Sequence, residues 1–542
     1  MKNLIAPILA VLVFLSASLP YKHLNTVVGR TSDRQAQSLG VFRYYCENSE
    51  KSFFPSVQLH YGNRPFTLEM TFMEWGTAKI ARLFDVPCSE MTEFARAANA
   101  LVFAAILLVI FLIANRLLKI SQSLELSKSE FPTLFISGCL LFLSSDWFFL
   151  KNSLYPLPEG RAILVGLLAF FFSLKGRNLI AIFFWVLAFA FKPQIFLFGF
   201  IFSELMIFIK IYRLRLESYL KKQFIYVVVT ALLIVTYFSW VSHINAESDL
   251  PWVTWMGSWH KDWFFGDIKD RVSLDFWKGA FLNAFRTTHM ATIFAFFLLA
   301  KIFGKKPAGK NIHFALLLLP QVAAILVLQG FFYNAYKENE YYALPLHVYG
   351  ALTLFTVLSQ MLQTYFSKKN SKQDWVLVML FVGCLSVEGL YSIKKYFLFI
   401  DDLKKQQAGL NIKYTSPFPA GKDLVVVALH GNQREVLHLY NFGRRGFMWC
   451  AQNEKFAPRK FWLEQGVKYI AWQRKDNEDQ WTVRTIEEEL AFAKQQGWSS
   501  DSYDPWSLKP MHEWANFASS HKIDPCMNPG YFDPRTWAER FQ

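Results

Sequence analysis

The chain alternates long apolar runs with short polar tracts instead of mixing the two at helix or strand spacing. In its first half, apolar residues dominate Leu4 to Leu19, Ala100 to Leu117, Phe131 to Phe149, Pro158 to Leu174, Leu179 to Phe191 and Ile195 to Ile209. The pattern resumes at Phe224 to Trp240, Ala291 to Phe303, Ile312 to Leu328, Tyr342 to Leu362 and Trp375 to Leu390. A helix crossing a bilayer needs about 20 such residues. The pattern therefore predicts a mainly α, polytopic membrane bundle of about eleven helices. The fourth, fifth and sixth runs have the loosest ends.

Basic residues give these runs a direction, because cytoplasmic loops hold the excess of Lys and Arg. With the N-terminus inside, every second loop should be basic. Asn115 to Glu130, Lys175-Gly176-Arg177, Lys210 to Lys222, Lys301 to Lys310 and Ser367 to Lys372 all fit. The opposite side then receives the first loop (21–96), a Trp-rich segment (242–288), the turn Phe331 to Tyr341 and the polar C-terminal part. A mere kink at Phe191-Lys192-Pro193 would reverse the downstream parity, so a helix hairpin is expected there.

Two outer stretches have their own patterns. Thr67 to Phe84 mixes Leu68, Phe72, Trp75, Ile80, Leu83 and Phe84 with Glu69, Glu74, Lys79 and Arg82, as expected of a helix lying in the membrane interface. Leu250 to Trp277 holds Trp252, Trp255, Trp259, Trp263 and Trp277, which suit either a headgroup anchor or a lid over a lipid or sugar site. From about Asp401 the composition becomes that of a soluble domain (401–542) following a membrane domain (1–400). Asp423 to Leu429 and Val467 to Trp472 read as buried strands. Pro458 to Gln465 and Thr485 to Gln496 read as helices, together a small α/β domain.

Composition narrows the function. A 53% hydrophobic, 18% charged chain is too apolar for a soluble multidomain enzyme. The net charge of +15 raises nucleic acid as a partner, but the cations sit in the loops between apolar runs, where topology explains them. The six cysteines lack metal-site spacing. Cys139 and Cys384 fall inside apolar runs. Cys46, Cys88, Cys450 and Cys526 fall in outer segments, where disulfides are open to them and the pairing is left undetermined. Ionisable residues gather at the outer helix ends, with Glu204 and Glu388 as exceptions. Such groups are costly beside lipid unless they have a partner or a task.

Three segments carry a family resemblance. Arg64-Pro65-Phe66-Thr67-Leu68-Glu69, running on to Leu83-Phe84, resembles the "RPF…EFPLYQW…LFG" segment of C-type (GT-C) bacterial membrane glycosyltransferases of the aminoarabinose transferase and protein mannosyltransferase type. Asn339-Glu340-Tyr341-Tyr342-Ala343-Leu344-Pro345-Leu346 is similar to their "H-x-YY-LPL" helix start, with Asn339 in place of the histidine. Leu439 to Phe447 with Gly466 to Ile470 resembles their C-terminal "YY…RKGW…GAKYLV" pattern. The first apolar run suits a membrane helix or a cleavable leader, and the resemblance implies a retained helix.

The resemblance also implies what the chain does: transfer of a sugar from a polyprenyl-phosphate carrier to a lipid, glycan or protein acceptor at the periplasmic face of the bacterial inner membrane. Asp33 matches the acidic residue that serves as base or acceptor-orienting group, with helix capping as the alternative role. Glu69 and Glu159 complete the candidate catalytic set. Lys192, Arg30, Arg64, Arg286 and Lys337 are candidates for the carrier phosphate, where a cation would neutralise charge on the leaving oxygen. Glu74, His60, Glu340, Tyr341 and Tyr342 are expected to line the cavity. No metal cage is evident; since a phosphate leaves readily, a divalent ion is possible but not required. A surface-polysaccharide ligase or polymerase shares this outline. A transporter or flippase would instead place charges midway along helices and show related halves.

Overall fold

The computed structural model describes residues 5–21, 32–48, 50, 56–57, 65–66, 71–122, 140, 143–247, 271–274, 276–278, 316, 318–327, 340–365, 387–406, 416–421, 423–430, 439, 441–442, 444–475 and 480–498. The chain divides into two compact units, Met1–His23, Arg96–Phe238 and Asp262–Asp401 against Leu24–Ala95, Ser239–Lys261 and Asp402–Gln542.

The first unit is helical. Its elements are α1 (Ile5–Ser18), α4 (Met91–Gln122, entering from the other unit), α5 (Trp147–Ser153), α6 (Pro158–Leu174), α7 (Asn178–Phe191), α8 (Pro193–Lys210), most of α9 (Leu216–Glu247) and α10 (Leu344–Tyr365). Residues 318–327 and 387–406 are also helical. Proline begins α6 and α8, where its missing N–H costs nothing and its φ already suits a helix. Pro193 also disfavours helical backbone at Lys192, which is extended at φ −161° and ψ 100° and ends α7. The chain folds back at that residue, because Trp185 of α7 meets both Phe196 and Phe200 of α8 edge-on, with ring centroids 5.7 and 5.3 Å apart. The hairpin demanded by the basic loops is present.

Among the described residues, Cys88–Ile120 and Pro193–Lys210 are long and apolar enough to cross a membrane. A third crossing results if α5 and α6, bent by 110° at their junction, count as one. The run Ala291 to Phe303 and most of Trp375 to Leu390 lie outside the described residues. The run Phe131 to Phe149 departs from expectation at its end. A new helix begins at Trp147 because Asp146 caps it, its Oδ1 accepting from the Phe148 and Phe149 N–H groups at 2.9 and 3.0 Å. Between α8 and α10 the fit is close: a Cβ on Gly199 would strike the fully buried Tyr349 hydroxyl.

In the second unit, α2 (Ser32–Glu47) packs on α3 (Phe72–Leu83) through Leu39, Phe42, Tyr45, Ala78 and Ala81. The Tyr45 hydroxyl shares a 2.8 Å hydrogen bond with Thr71, and burial pushes its pKa up. The disulfide Cys46–Cys88 joins the end of α2 to the turn before α4, with Cα atoms 5.7 Å apart. Strands β1 (Ser56–Val57) and β2 (Pro65–Phe66) form a short antiparallel ladder. Helix α3 is two-faced as its mixed composition predicts: Ala78 and Ala81 are buried, while Phe72, Ile80, Leu83 and the following Phe84 are exposed.

The rest of this unit is a four-stranded sheet in the order β4-β3-β5-β6, made of β3 (Leu424–Leu429), β4 (Gly446–Cys450), β5 (Val467–Gln473) and β6 (Trp481–Thr485). Strand β3 runs parallel to β4 and β5, and β6 is antiparallel to β5. Every residue of β3 is buried, which is why it is apolar without alternation. Helices α11 (Arg459–Glu464) and α12 (Ile486–Gln495) cover the sheet. A capping box between Thr485 and Glu488 begins α12. Arg445 sets its guanidinium over the Tyr44 ring of α2 at 5.2 Å. Position 446 must be glycine, because a Cβ there would overlap the Val425 carbonyl of the neighbouring strand. Gly446→Ala is therefore expected to cost about 3 kcal/mol by forcing β4 from β3. Limited proteolysis should show faster cleavage after residue 401 in the variant.

Candidate functional site

The approach to α6 is fixed before its first charged residue appears. Asn99 of α4 donates to the carbonyls of Asn152, Ser153 and Tyr155 at 3.2, 2.9 and 2.8 Å, closing the C-terminal end of α5. Arg161 reaches back to the Pro156 carbonyl at 3.2 Å. The chain then enters α6 with Glu159 in its first turn, where the helix dipole favours a carboxylate.

Glu159 is 1% exposed and pairs with Lys192, 4% exposed, at 3.2 Å. The ammonium also lies 5.3 Å from the centre of the Tyr342 ring. Tyr342 and Tyr341, both buried, belong to the 3-10 turn Glu340–Ala343 that leads into α10. The hairpin, the start of α6 and the start of α10 thus bring an acid, a cation and a tyrosine face to one place. Taking two charges out of water costs more than a bare pair usually returns, so the pair is better explained by work than by stability. Lys192 also stands at the N-terminus of α8, where backbone N–H groups add positive potential and favour an anion. Neither Glu159 oxygen accepts a well-formed hydrogen bond among the described residues, which leaves acceptor capacity for a substrate hydroxyl or amine. Two residues beyond Lys192, the side-chain carbonyl oxygen of the buried Gln194 likewise has no donor among the described residues.

A second polar node was not foreseen. His347 of α10 places Nε2 2.9 Å from Asp146 Oδ1, and Ser392 donates to Oδ2 at 3.3 Å. These contacts fasten α10, and with it Tyr342, to the start of α5. A lone Asp and a lone His inside apolar runs were the available signal.

Of the other expected site residues, Asp33 lies in the first turn of α2 and Glu74 is buried on α3, both in the second unit. Glu340 opens the 3-10 turn. Arg30, His60, Arg64, Glu69, Arg286 and Lys337 lie outside the described residues. Among the described residues, no group of three or more His, Cys, Asp or Glu side chains is placed to hold a metal ion.

The crystal structure of ArnT from Cupriavidus metallidurans bound to undecaprenyl phosphate is similar at a TM-score of 0.51, with 12% identity over 81% of this chain and 85% of that one. The chain has the C-type glycosyltransferase fold. A tethered acceptor-peptide complex of the Archaeoglobus fulgidus oligosaccharyltransferase also matches, at a TM-score of 0.43 and 11% identity, over 87% of this chain and 69% of that chain. No family model matches the chain, and no curated protein is similar to it. Within this C-type fold, the Glu159–Lys192–Tyr342 cluster is the best-defined buried polar site among the described residues of the helical unit.

Proposed function

We propose that this chain is a membrane glycosyltransferase that moves a sugar from a polyprenyl-phosphate carrier to a lipid, glycan or protein acceptor at the periplasmic face. The observation that carries this reading is the buried Glu159–Lys192 pair at the mouth of a helix hairpin. The undecaprenyl phosphate in the ArnT structure supports a carrier of that class. The Cys46–Cys88 disulfide in the first loop supports an oxidising compartment on that side. The alternation of basic loops points the same way, with the N-terminus cytoplasmic and residues 401–542 periplasmic as a small α/β domain.

The resting pair also suggests an order of events. An incoming phosphate competes for Lys192, and its capture releases the Glu159 carboxylate. The acceptor oxygen or nitrogen then attacks the anomeric carbon while the bond from that carbon to the phosphate oxygen breaks. The acceptor proton passes to a carboxylate, and the charge on the departing phosphate is met by Lys192 and the α8 N-terminus. Asp33 is assigned as the base or acceptor-orienting group that the family resemblance implies. Asp33→Asn should then lower transfer by at least about a hundredfold, the scale of a lost general base, with normal membrane insertion and thermal stability. Near-normal turnover of a radiolabelled polyprenyl-phosphate sugar by that variant would remove Asp33 from the mechanism. Mass spectrometry of lipid A, glycolipids and glycoproteins from a strain lacking the protein tests the function itself, and an unchanged glycan profile would count against it.

A further inference from the structure

Helix α8 buries a second acid near the end opposite Lys192. Glu204 is 7% exposed, and one carboxylate oxygen accepts from the Tyr219 hydroxyl of α9 at 2.9 Å. The other, Oε1, has no donor among the described residues. Tyr219 packs edge-on against Tyr212, ring centroids 5.5 Å apart, and the Tyr212 hydroxyl accepts from Gln223 Nε2 at 3.3 Å. Gln223 is 5% exposed, and its carbonyl oxygen also lacks a donor. One connected network therefore ends in two buried oxygen acceptors, and both lack an N–H group. Buried polar atoms are nearly always partnered, so two acceptors joined in one network leave room for a donor from outside the protein.

The surroundings say what kind. Tyr212 and Tyr219 are half-buried, so the network reaches the protein surface between α8 and α9. A carboxylate beside aromatic rings suits an ammonium group. The turn joining the two helices, however, exposes Arg213 and Arg215, which disfavour a bare cation and suit a phosphate. A head group with an ammonium at one end and a phosphate at the other satisfies both. A choline head group does not, because its quaternary nitrogen has no N–H to give.

We propose that Glu204, Gln223, Tyr212 and Tyr219 bind the primary ammonium of a phosphatidylethanolamine head group, whose phosphate is held by Arg213 and Arg215. The site lies toward the other end of α8 from the Glu159–Lys192 pair. It does not depend on the transferase reading, and its test does not measure sugar transfer.

The experiment is native mass spectrometry of the full-length protein released from nanodiscs of mixed phosphatidylethanolamine, phosphatidylcholine and phosphatidylglycerol. The wild-type protein should retain phosphatidylethanolamine over both others. Glu204→Gln should lower that preference about tenfold, the scale of one lost charge-assisted hydrogen bond. Gln223→Leu, which keeps the acid, should lower it by a smaller factor and serves if Glu204→Gln fails to fold. Equal retention of phosphatidylethanolamine and phosphatidylcholine by the wild type would overturn the proposal. So would an undiminished preference in a folded variant, or a Glu204→Gln protein stabilised equally in every lipid, which would mark Glu204 as a buried neutral acid.

Discussion

Lys192→Met is expected to abolish transfer and to destabilise the helical unit by about 3–5 kcal/mol, the usual cost of stranding one member of a buried ion pair. Both effects come from the same geometry. Glu159 is 1% exposed and Lys192 is its only charged partner at ion-pair distance among the described residues, so removing the cation leaves a buried carboxylate without its counter-charge. Glu159→Gln should cost less in stability, because Lys192 keeps the Tyr342 face as a neighbour. The double substitution Glu159→Gln with Lys192→Met should recover most of the stability and none of the activity. Thermal unfolding in detergent and turnover of the lipid-linked donor check the two parts separately. If the double variant is no more stable than Lys192→Met, the pair does not carry its charges as an ion pair. If Lys192→Met has unchanged donor kinetics, Lys192 is structural.

The second large effect lies in the sheet-bearing unit. Glu489→Ala should unfold it or lower its stability by about 3–5 kcal/mol. Glu489 and Arg459 are both 0% exposed, 2.8 Å apart, and Glu489 also accepts from Arg484 at 2.7 Å and from the Trp472 indole at 3.1 Å. One truncation thus takes the carboxylate from the buried Arg459 guanidinium and leaves an indole N–H unmet. Arg484 also reaches Glu454 at 3.5 Å, and Arg459 keeps its 2.8 Å hydrogen bond to the Glu454 carbonyl, but neither contact replaces the buried carboxylate held between them. Adding Arg459→Met to Glu489→Leu should therefore restore much of the loss. Thermal unfolding of the full-length protein checks this, and an unchanged unfolding midpoint for Glu489→Ala would refute the assignment.

Much of this was legible in the sequence where one-dimensional signals coincide with three-dimensional ones. Helices α6, α7 and α8 match apolar runs closely because each is bounded by proline or a basic turn, and those residues act locally. Glu159, Lys192 and Tyr342 stood out as polar or aromatic residues at helix ends. That the acid pairs with the lysine was not legible, since packing of the hairpin against α6 decides it. Asp146 and His347 were absorbed into their apolar runs, where a single polar residue hardly changes the pattern. Strands β3 and β5 were visible as Val-rich or alternating runs. In contrast β4, Gly-Phe-Met-Trp-Cys, lacks β-branched residues, and β6 is a short edge strand carrying Arg484, so both owe their form to pairing with neighbours.

The bond between Cys46 and Cys88 closes a ring whose two ends both precede α4 in the chain. With the first loop periplasmic, as proposed above, that ring can be sealed by an envelope thiol oxidase while most of the membrane helices have yet to leave the ribosome. On that reading, maturation of the α2–α3 pair is tied to export of the first loop and not to completion of the later bundle. In cells deprived of such an oxidase, the earliest casualty should be this amino-proximal module.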